Sequence, residues 1–478
     1  MTDSLTFSEC LQLVMQKHKL SLGHLSAMIN SRSELRHVLA NDSTPTTRQR
    51  LFQKLLDSHL FDEDDYQRLS QSLEISNLGV GRYRFQKAIE GIFAGEPLEQ
   101  VKPIFTDNGI SLNERLLSFD KAEKIEVICF NCCFRSLVDA LKPLFENVQQ
   151  DIHMRHYLHA SANYSLSAEY VESVLPILFD PRYYSYIRTN SAENQMPSLS
   201  GNLLFIRAIV KNEIQEMCFV FSTDGIALEL PGASNAQIFS FVNKALSNAK
   251  PQPVPLKEEY PYQMDFPSLC MTFLSHELNR ATYAFTNDLC FQQTPTDIAI
   301  AAFLDKGITS NEDAQKIIQR TRSIHEQRYH NFYHKKKSTY RIMTENGCKE
   351  FLETGVSAEH FVGFRPFTPA ERKSIFENMI AAANNNTFFI PLLLKDGSLK
   401  HHYNLVCYDK LGVSIDEKDT DYDISKGYRS VFLMHPLFTK QYMDYYLQVL
   451  VKEKCYSKQE SIKKLEDMFE AFVEKYDL

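Results

Sequence analysis

The sequence predicts a multidomain α+β protein. An all-α bundle with a helix-turn-helix layout is expected over residues 1–95, followed by mixed α/β domains over 96–250 and 256–478. Three observations predict this. Apolar residues recur at helical spacing through the first sixty positions. From about Ala122, short apolar runs alternate with helical patterns, which indicates sheets covered by helices. The proline-rich stretch Lys250–Pro255 then interrupts the mixed region as a linker would.

Phe7–Leu20 places Phe7, Leu11, Val14 and Met15 on one helical face. Ser21 is a candidate cap for a short helix over Leu22–Ile29, with Leu22, Leu25 and Ile29 inward. Asn30 and Ser31 make a tight joint. A third helix over Arg32–Leu39 would bury Leu35, Val38 and Leu39 and leave Arg32, Ser33, Glu34, Arg36 and His37 outside. Two short helices about a turn, the second with a polar outer face, form the element that enters a DNA major groove. Small amphipathic bundles also serve as packing or interaction modules, so both readings stand on pattern alone.

Ser43, Thr44 and Pro45 signal entry to a fourth helix over Thr46–His59, whose Arg48, Arg50 and Lys54 can reach phosphates or form a solvated face. The acidic run Phe61–Asp65 suits the first turn of a fifth helix, where the helix dipole favours carboxylates over a metal role. Tyr83–Phe93 reads as a further helix. Beyond it, Ile125–Phe130, Asp151–Leu158, Leu203–Val210, Glu216–Phe221 and Gly225–Leu230 read as strands, with helices at Leu137–Phe145 and Ala236–Leu246. After the linker a mainly helical stretch is expected to about Glu326, then shorter mixed elements over Lys335–Leu352. Thr368, Pro369 and Glu371 open a strongly signalled helix. Phe388–Leu394, Tyr403–Asp409 and Gly412–Ile415 form an expected β-meander, and two helices close the chain over Pro436–Val451 and Ser457–Tyr476. No short repeat is visible, although the α/β blocks on either side of the linker are candidate structural halves.

Composition narrows the function classes. The chain has 478 residues, a net charge of −8 and ten cysteines. Residues 1–60 carry seven Lys/Arg against five acids, a net +2, so the acidity lies in the remainder. That distribution leaves nucleic-acid contact to the N-terminal end. No apolar run is long enough to span a bilayer. Met1–Ser4 lacks the start of a secretion signal, and most cysteines lie in apolar segments as buried free thiols would. The expected compartment is the cytoplasm.

The helical layout resembles the XRE-type (Cro/repressor-like) helix-turn-helix of bacterial regulators. The scaffold helix would be Ser21–Ile29 and the recognition helix Ser31–Leu39. Further segments are similar to XRE-like regulatory proteins with long C-terminal regions: Leu73–Arg84, Phe130–Cys133, Arg155–Tyr157, Phe179–Tyr183 and Phe364–Arg372. The chain departs from the usual reader at Ser26, normally a small Ala, and at the helix exit, Asn41–Pro45. The resemblance implies that Arg32, Ser33, Arg36 and His37 contact base edges or phosphates. The α/β block is faintly similar to phospholipase-D-like proteins, but the half before the linker lacks their nucleophilic His followed two residues later by Lys, so a scaffold rather than that chemistry is expected.

Other chemistry finds little support. Cys129, Cys132 and Cys133 make half a zinc site, and His153, His156 and His159 would alternate faces in a strand. His276-Glu277 starts like a zincin motif, but Arg280 stands where the second His must lie. Asp419, Asp421 and Asp423 start like a calcium loop that Ile424 and Ser430 fail to complete. No phosphate loop, dinucleotide fingerprint or nucleophile elbow is present. The basic-aromatic run His325–Lys337 is either a site for an anion, a nucleic-acid backbone or a phosphorylated ligand, or a solvated helix end followed by a strand. His401 and His402 read as an exposed hairpin pair.

These observations lead to the expectation of a regulator with no cofactor and no metal; no constellation of residues names a reaction, and an enzyme with an unrecognised site is a third reading. Double-stranded DNA would be its partner, read by a homodimer, and a small-molecule or peptide effector would act on the larger region. The rival expectation is a protein-interaction scaffold whose N-terminal bundle binds a protein.

Overall fold

A computed structural model describes residues 5–95, 102–119, 121–132, 134–146, 151–159, 168–188, 202–222, 226–247, 254–259, 266–287, 289, 293–304, 312–334, 336–357, 365–397, 399, 402–417, 430–434 and 436–478. The chain forms two compact units, Met1–Lys87 and Ala88–Leu478.

The first unit is a helical bundle: α1 (Phe7–Lys17), α2 (Leu22–Met28), α3 (Arg32–Leu39), α4 (Pro45–Ser58) and α5 (Glu63–Leu78). Each boundary follows from local chemistry. Thr6 and Glu9 make a reciprocal capping box at α1. The Ser21 hydroxyl accepts from the His24 amide to start α2, and Thr44 with Pro45 starts α4. The Asp62 carboxylate caps α5 by accepting from the Asp65 amide, so the acidic run acts there as helix entry. Phe7, Leu11, Val14, Leu25, Leu35, Val38, Leu51, Leu55 and Leu69 meet in one core. Ser26, the departure from the usual small residue, is buried and satisfied: its hydroxyl donates to the Gly23 carbonyl at 2.9 Å. A sixth helix, α6 (Val80–Ala94), contains the boundary between the units.

The second unit carries two sheets. The first runs through β1 (Phe105–Thr106), α7 (Leu112–Leu116), β2 (Lys124–Phe130), α8 (Arg135–Glu146), β3 (Asp151–His159), α9 (Ala168–Leu178), β4 (Tyr183–Arg188), β5 (Asn202–Val210), β6 (Glu213–Phe221), β7 (Ile226–Glu229), α10 (Gly232–Ser247) and β8 (Val254–Pro255). The second runs through β9 (Lys257–Glu259), α11 (Phe266–Glu277), β10 (Thr282–Phe285), α12 (Thr296–Leu304), α13 (Glu312–His334), β11 (Thr339–Thr344), α14 (Glu345–Thr354), α15 (Pro369–Asn385), β12 (Phe389–Leu394), β13 (Tyr403–Tyr408), β14 (Gly412–Glu417), β15 (Ser430–Leu433), α16 (Pro436–Tyr445) and α17 (Lys458–Tyr476), with a π-helical stretch over Tyr446–Lys454.

Strand order is β1-β7-β6-β5-β2-β3-β4-β8 in one sheet and β12-β11-β10-β13-β14-β15-β9 in the other. Both share one plan. A parallel trio, β2-β3-β4 or β10-β11-β12, has its first strand beside an antiparallel meander, β5-β6-β7 or β13-β14-β15. The candidate halves of the sequence are therefore topological repeats. The chain crosses between sheets at Val254–Glu259, where the described end of the predicted linker supplies edge strand β8 and the residues just after it supply edge strand β9. Lys257 fixes this crossover: its ammonium donates to the carbonyls of Leu178, Asp180 and Tyr183 at 2.8, 3.0 and 2.9 Å.

Several elements depart from the expected pattern. Phe389–Leu394 (β12), read as the first strand of a meander with β13 and β14, pairs in parallel with β11 at the far edge of the sheet, and β1, α7 and β9 were not anticipated. The stretch after the linker, read as mainly helical, contains β10, whose four residues are all buried. β4 and α9 were not anticipated; α9 carries Pro176 in its interior. The remainder of the linker, Cys133, the Asp419–Asp423 run and His401 lie outside the described residues.

Candidate functional site

α2 and α3 are two short helices about a turn, and α3 presents a polar outer face. Asn30 at φ +46° turns the chain between the two helices, a conformation that asparagine tolerates. At about 100° per residue, positions 32, 33, 36 and 37 fall within roughly 140° of the helix circumference. Arg32, Ser33, Arg36 and His37 are all exposed there, while Leu35 and Val38 are buried behind them. Arg32 and Arg36 have no hydrogen-bond or ion-pair partner among the described residues. His37 Nδ1 lies 3.2 Å from Asp42 in a solvent-exposed pair.

The other predicted contacts divide. Arg48 is spent inside the bundle: Nε donates to Asn77 Oδ1 at 2.9 Å, and its two terminal nitrogens donate to the Ser43 and Ser76 carbonyls at 2.7 and 3.1 Å. It ties the start of α4 to the end of α5 and is not available to a phosphate in this conformation. Lys54 likewise donates to Glu34 Oε2 at 2.7 Å and to Ser31 Oγ at 3.1 Å. Arg50 remains largely exposed, 3.7 Å from the other Glu34 oxygen. Of the three α4 cations read as reaching phosphates or forming a solvated face, Arg48 and Lys54 are bonded within the bundle and Arg50 stays largely exposed.

Glu34 is corrected as well. It turns toward α4, where Lys54 and the Ser31 hydroxyl hydrogen-bond its carboxylate and, with the Arg50 charge, hold its pKa below the usual range. The α3–α4 clasp thereby removes the one acid from the reading face. Sequence reasoning missed this because the partners are twenty residues apart.

Other clusters offer less chemistry. His18, Asp62 and Asp65 converge closely enough to hold a metal ion. The Lys17 ammonium already sits 2.8 Å from both carboxylates, so a cation is supplied by the chain. In the first sheet Cys129 and His156 are register partners on β2 and β3. Burial raises the Cys129 pKa, but Cys132 and the His156 charge outweigh it and lower the thiol. The pair is sealed, with Cys129 0% and His156 1% exposed, and His156 Nδ1 lies 3.1 Å from the Tyr183 hydroxyl. No substrate reaches such a pair without opening the sheet. His153 points the other way, exposed beside Asp151, which is the alternation expected of a strand. Glu277, the acid of the broken zincin motif, forms a buried pair with Arg328 at 2.6 Å.

No helix among the described residues is long and apolar enough to cross a membrane. No family model matches the chain, and no curated protein matches it. Among solved structures, a phosphatidylserine synthase from Haemophilus influenzae Rd KW20 aligns at 9% identity over 76% of this chain and 91% of that one, with a TM-score of 0.24. A polyphosphate kinase from Porphyromonas gingivalis aligns at 9% identity over 87% of this chain and 65% of that one, with a TM-score of 0.21. Likenesses at those scores carry no argument about fold or activity.

Proposed function

We propose that the chain is a DNA-binding transcriptional regulator of the XRE-like helix-turn-helix kind, with its larger unit serving sensing or dimerisation. The observation that carries this reading is the partnerless, exposed Arg32 and Arg36 on one side of α3, in a bundle whose neighbouring Arg48 and Lys54 are internally bonded. α3 would enter the major groove. Arg36 and Arg32 match the forked acceptors of guanine, and Ser33 and His37 reach base edges or phosphate. Arg50 is the remaining candidate on α4 for a phosphate, whereas Arg48 and Lys54 hold α4 in place.

A homodimer would present two α3 helices at a fixed spacing, and an effector bound by the larger unit would alter that spacing and so the affinity. The repeated sheet plan supports a two-half, phospholipase-D-like architecture used as a scaffold, since the first half carries no His followed two residues later by Lys. A second reading, docking of a protein on the bundle, is favoured by Met28 on α2 and Leu13 on α1, which are 47% and 49% exposed. Titration of the full chain with duplex DNA at two salt concentrations separates the two. A DNA reader releases counterions and weakens steeply with salt, and a protein-docking bundle shows no duplex binding.

A further inference from the structure

Two open clefts flank the C-terminal turn of α13, where the basic-aromatic run of the sequence falls. One, of about 580 Å³, is walled by Gln327, His330, Asn331, His334, Lys336 and Lys337, with Leu274 and Leu278 of the α11 region opposite. The other, of about 600 Å³, is walled by Tyr329, His334, Lys336, Asn378, Asn385 and Phe388. His334 and Lys336 line both, so the two clefts meet at one basic rim.

The groups on this rim stand unanswered. His330, His334, Lys336 and Lys337 have no carboxylate partner among the described residues, and the rings of His330 and His334 lie 4.7 Å apart. Many other basic side chains of this unit are paired, as Lys464 is with Glu345 and Arg328 with Glu277. Carbonyls at the end of α13 account for cations in its last turn. They do not account for Lys336 and Lys337, which lie beyond it. Asn331 Nδ2 is a buried donor with no acceptor, beside the same cleft. Among the described residues, Glu326 is the one acid on the two walls. The first cleft therefore presents donors and positive charge in excess.

The second cleft differs. Phe388 is 40% exposed at its edge, and Tyr329 offers a second ring. Asn385, exposed on α15, has a side-chain amide with no hydrogen-bond partner among the described residues. A ring face beside an amide suits a heteroaromatic base, and a rim of cations suits a chain of phosphates. We infer that this double cleft binds a nucleoside polyphosphate, its phosphates along His330, His334, Lys336 and Lys337 and its base against Phe388. The inference goes beyond the DNA-binding reading and does not depend on it.

The test is calorimetric titration of the full chain with ATP and, separately, with inorganic tripolyphosphate. The variants are Lys336→Glu with Lys337→Glu, and Phe388→Ser, all at exposed positions, with thermal melts to check folding. The charge-reversed protein should bind both ligands at least about tenfold more weakly. Phe388→Ser should weaken ATP by about tenfold, the loss of one stacking contact, and leave tripolyphosphate unchanged. Absence of ATP binding to the unaltered protein would overturn the inference. So would equal affinity for the two ligands with Phe388→Ser silent, because the base would then have no site.

Discussion

Arg36 and Arg48 have the same side chain and opposite surroundings. Arg36 stands free on α3, whereas all three donor positions of Arg48 are taken within the bundle. Arg36→Ala should lower duplex affinity by about 1–3 kcal/mol, the worth of one base contact, and leave the melting temperature unchanged. Arg48→Ala should do the reverse, costing about 1–3 kcal/mol in denaturant unfolding because charged hydrogen bonds to Asn77, Ser43 and Ser76 are lost. Equal effects of the two variants on DNA binding would refute the assignment. In the second unit, Glu277→Gln should destabilise by about 3–5 kcal/mol, since Arg328 would keep a buried charge without its counterion. The sequence made the exposed face of α3 legible, because Leu35 and Val38 fix which side is inward. It left the state of each cation open, because Glu34 with Lys54 and Arg48 with Asn77 meet through tertiary packing.

At the scale of elements, helix ends were the most legible feature. Thr6, Ser21, Thr44, Thr368 and Ser457 each cap a helix through a side-chain oxygen. Gly355 ends α14 at φ +73°, with the Phe367 carbonyl where a side chain would start. Gly355→Ala should therefore cost more than about 1 kcal/mol from backbone strain alone, measurable by chemical unfolding. Short buried strands were the least legible. β10 is four buried residues after a helix, and a run of that length has no period to separate strand from helix. The Val254–Pro255 edge strand was masked by its prolines, which an edge position tolerates. α11 yields a pH prediction. His276 is buried and stacks on Phe432 of β15 at 4.3 Å. Burial, with Arg280 nearby, lowers its pKa from 6.5 to about 4. The unfolded chain then binds the proton more readily, so stability should fall as pH drops from 6.5 toward 4, by roughly 3 kcal/mol in all. His276→Phe keeps a ring on Phe432 and should flatten that slope in unfolding titrations; an unaltered slope would assign it to other groups.

At the scale of the molecule, one chain joins a five-helix bundle to two sheets of the same plan. The repeat of a parallel trio beside an antiparallel meander was not legible as sequence similarity, because a sheet plan constrains where apolar strands fall and not which residues fill them. The linker did mark the crossover, since Lys257 pins the chain there to the first sheet. Residues 1–60 carry a net +2, α5 of the same bundle brings in the acids Asp62–Asp65, and residues 61–478 together sum to −10. The account therefore places DNA contact on the bundle and gives the repeated sheets another task. Fluorescence anisotropy of the full chain with duplex DNA from its own promoter region and with a scrambled duplex, at two salt concentrations, tests that claim most directly. The account predicts tighter, salt-sensitive binding to the promoter duplex that Arg36→Ala weakens. Absence of duplex binding at low salt, with and without added nucleotide, would contradict it.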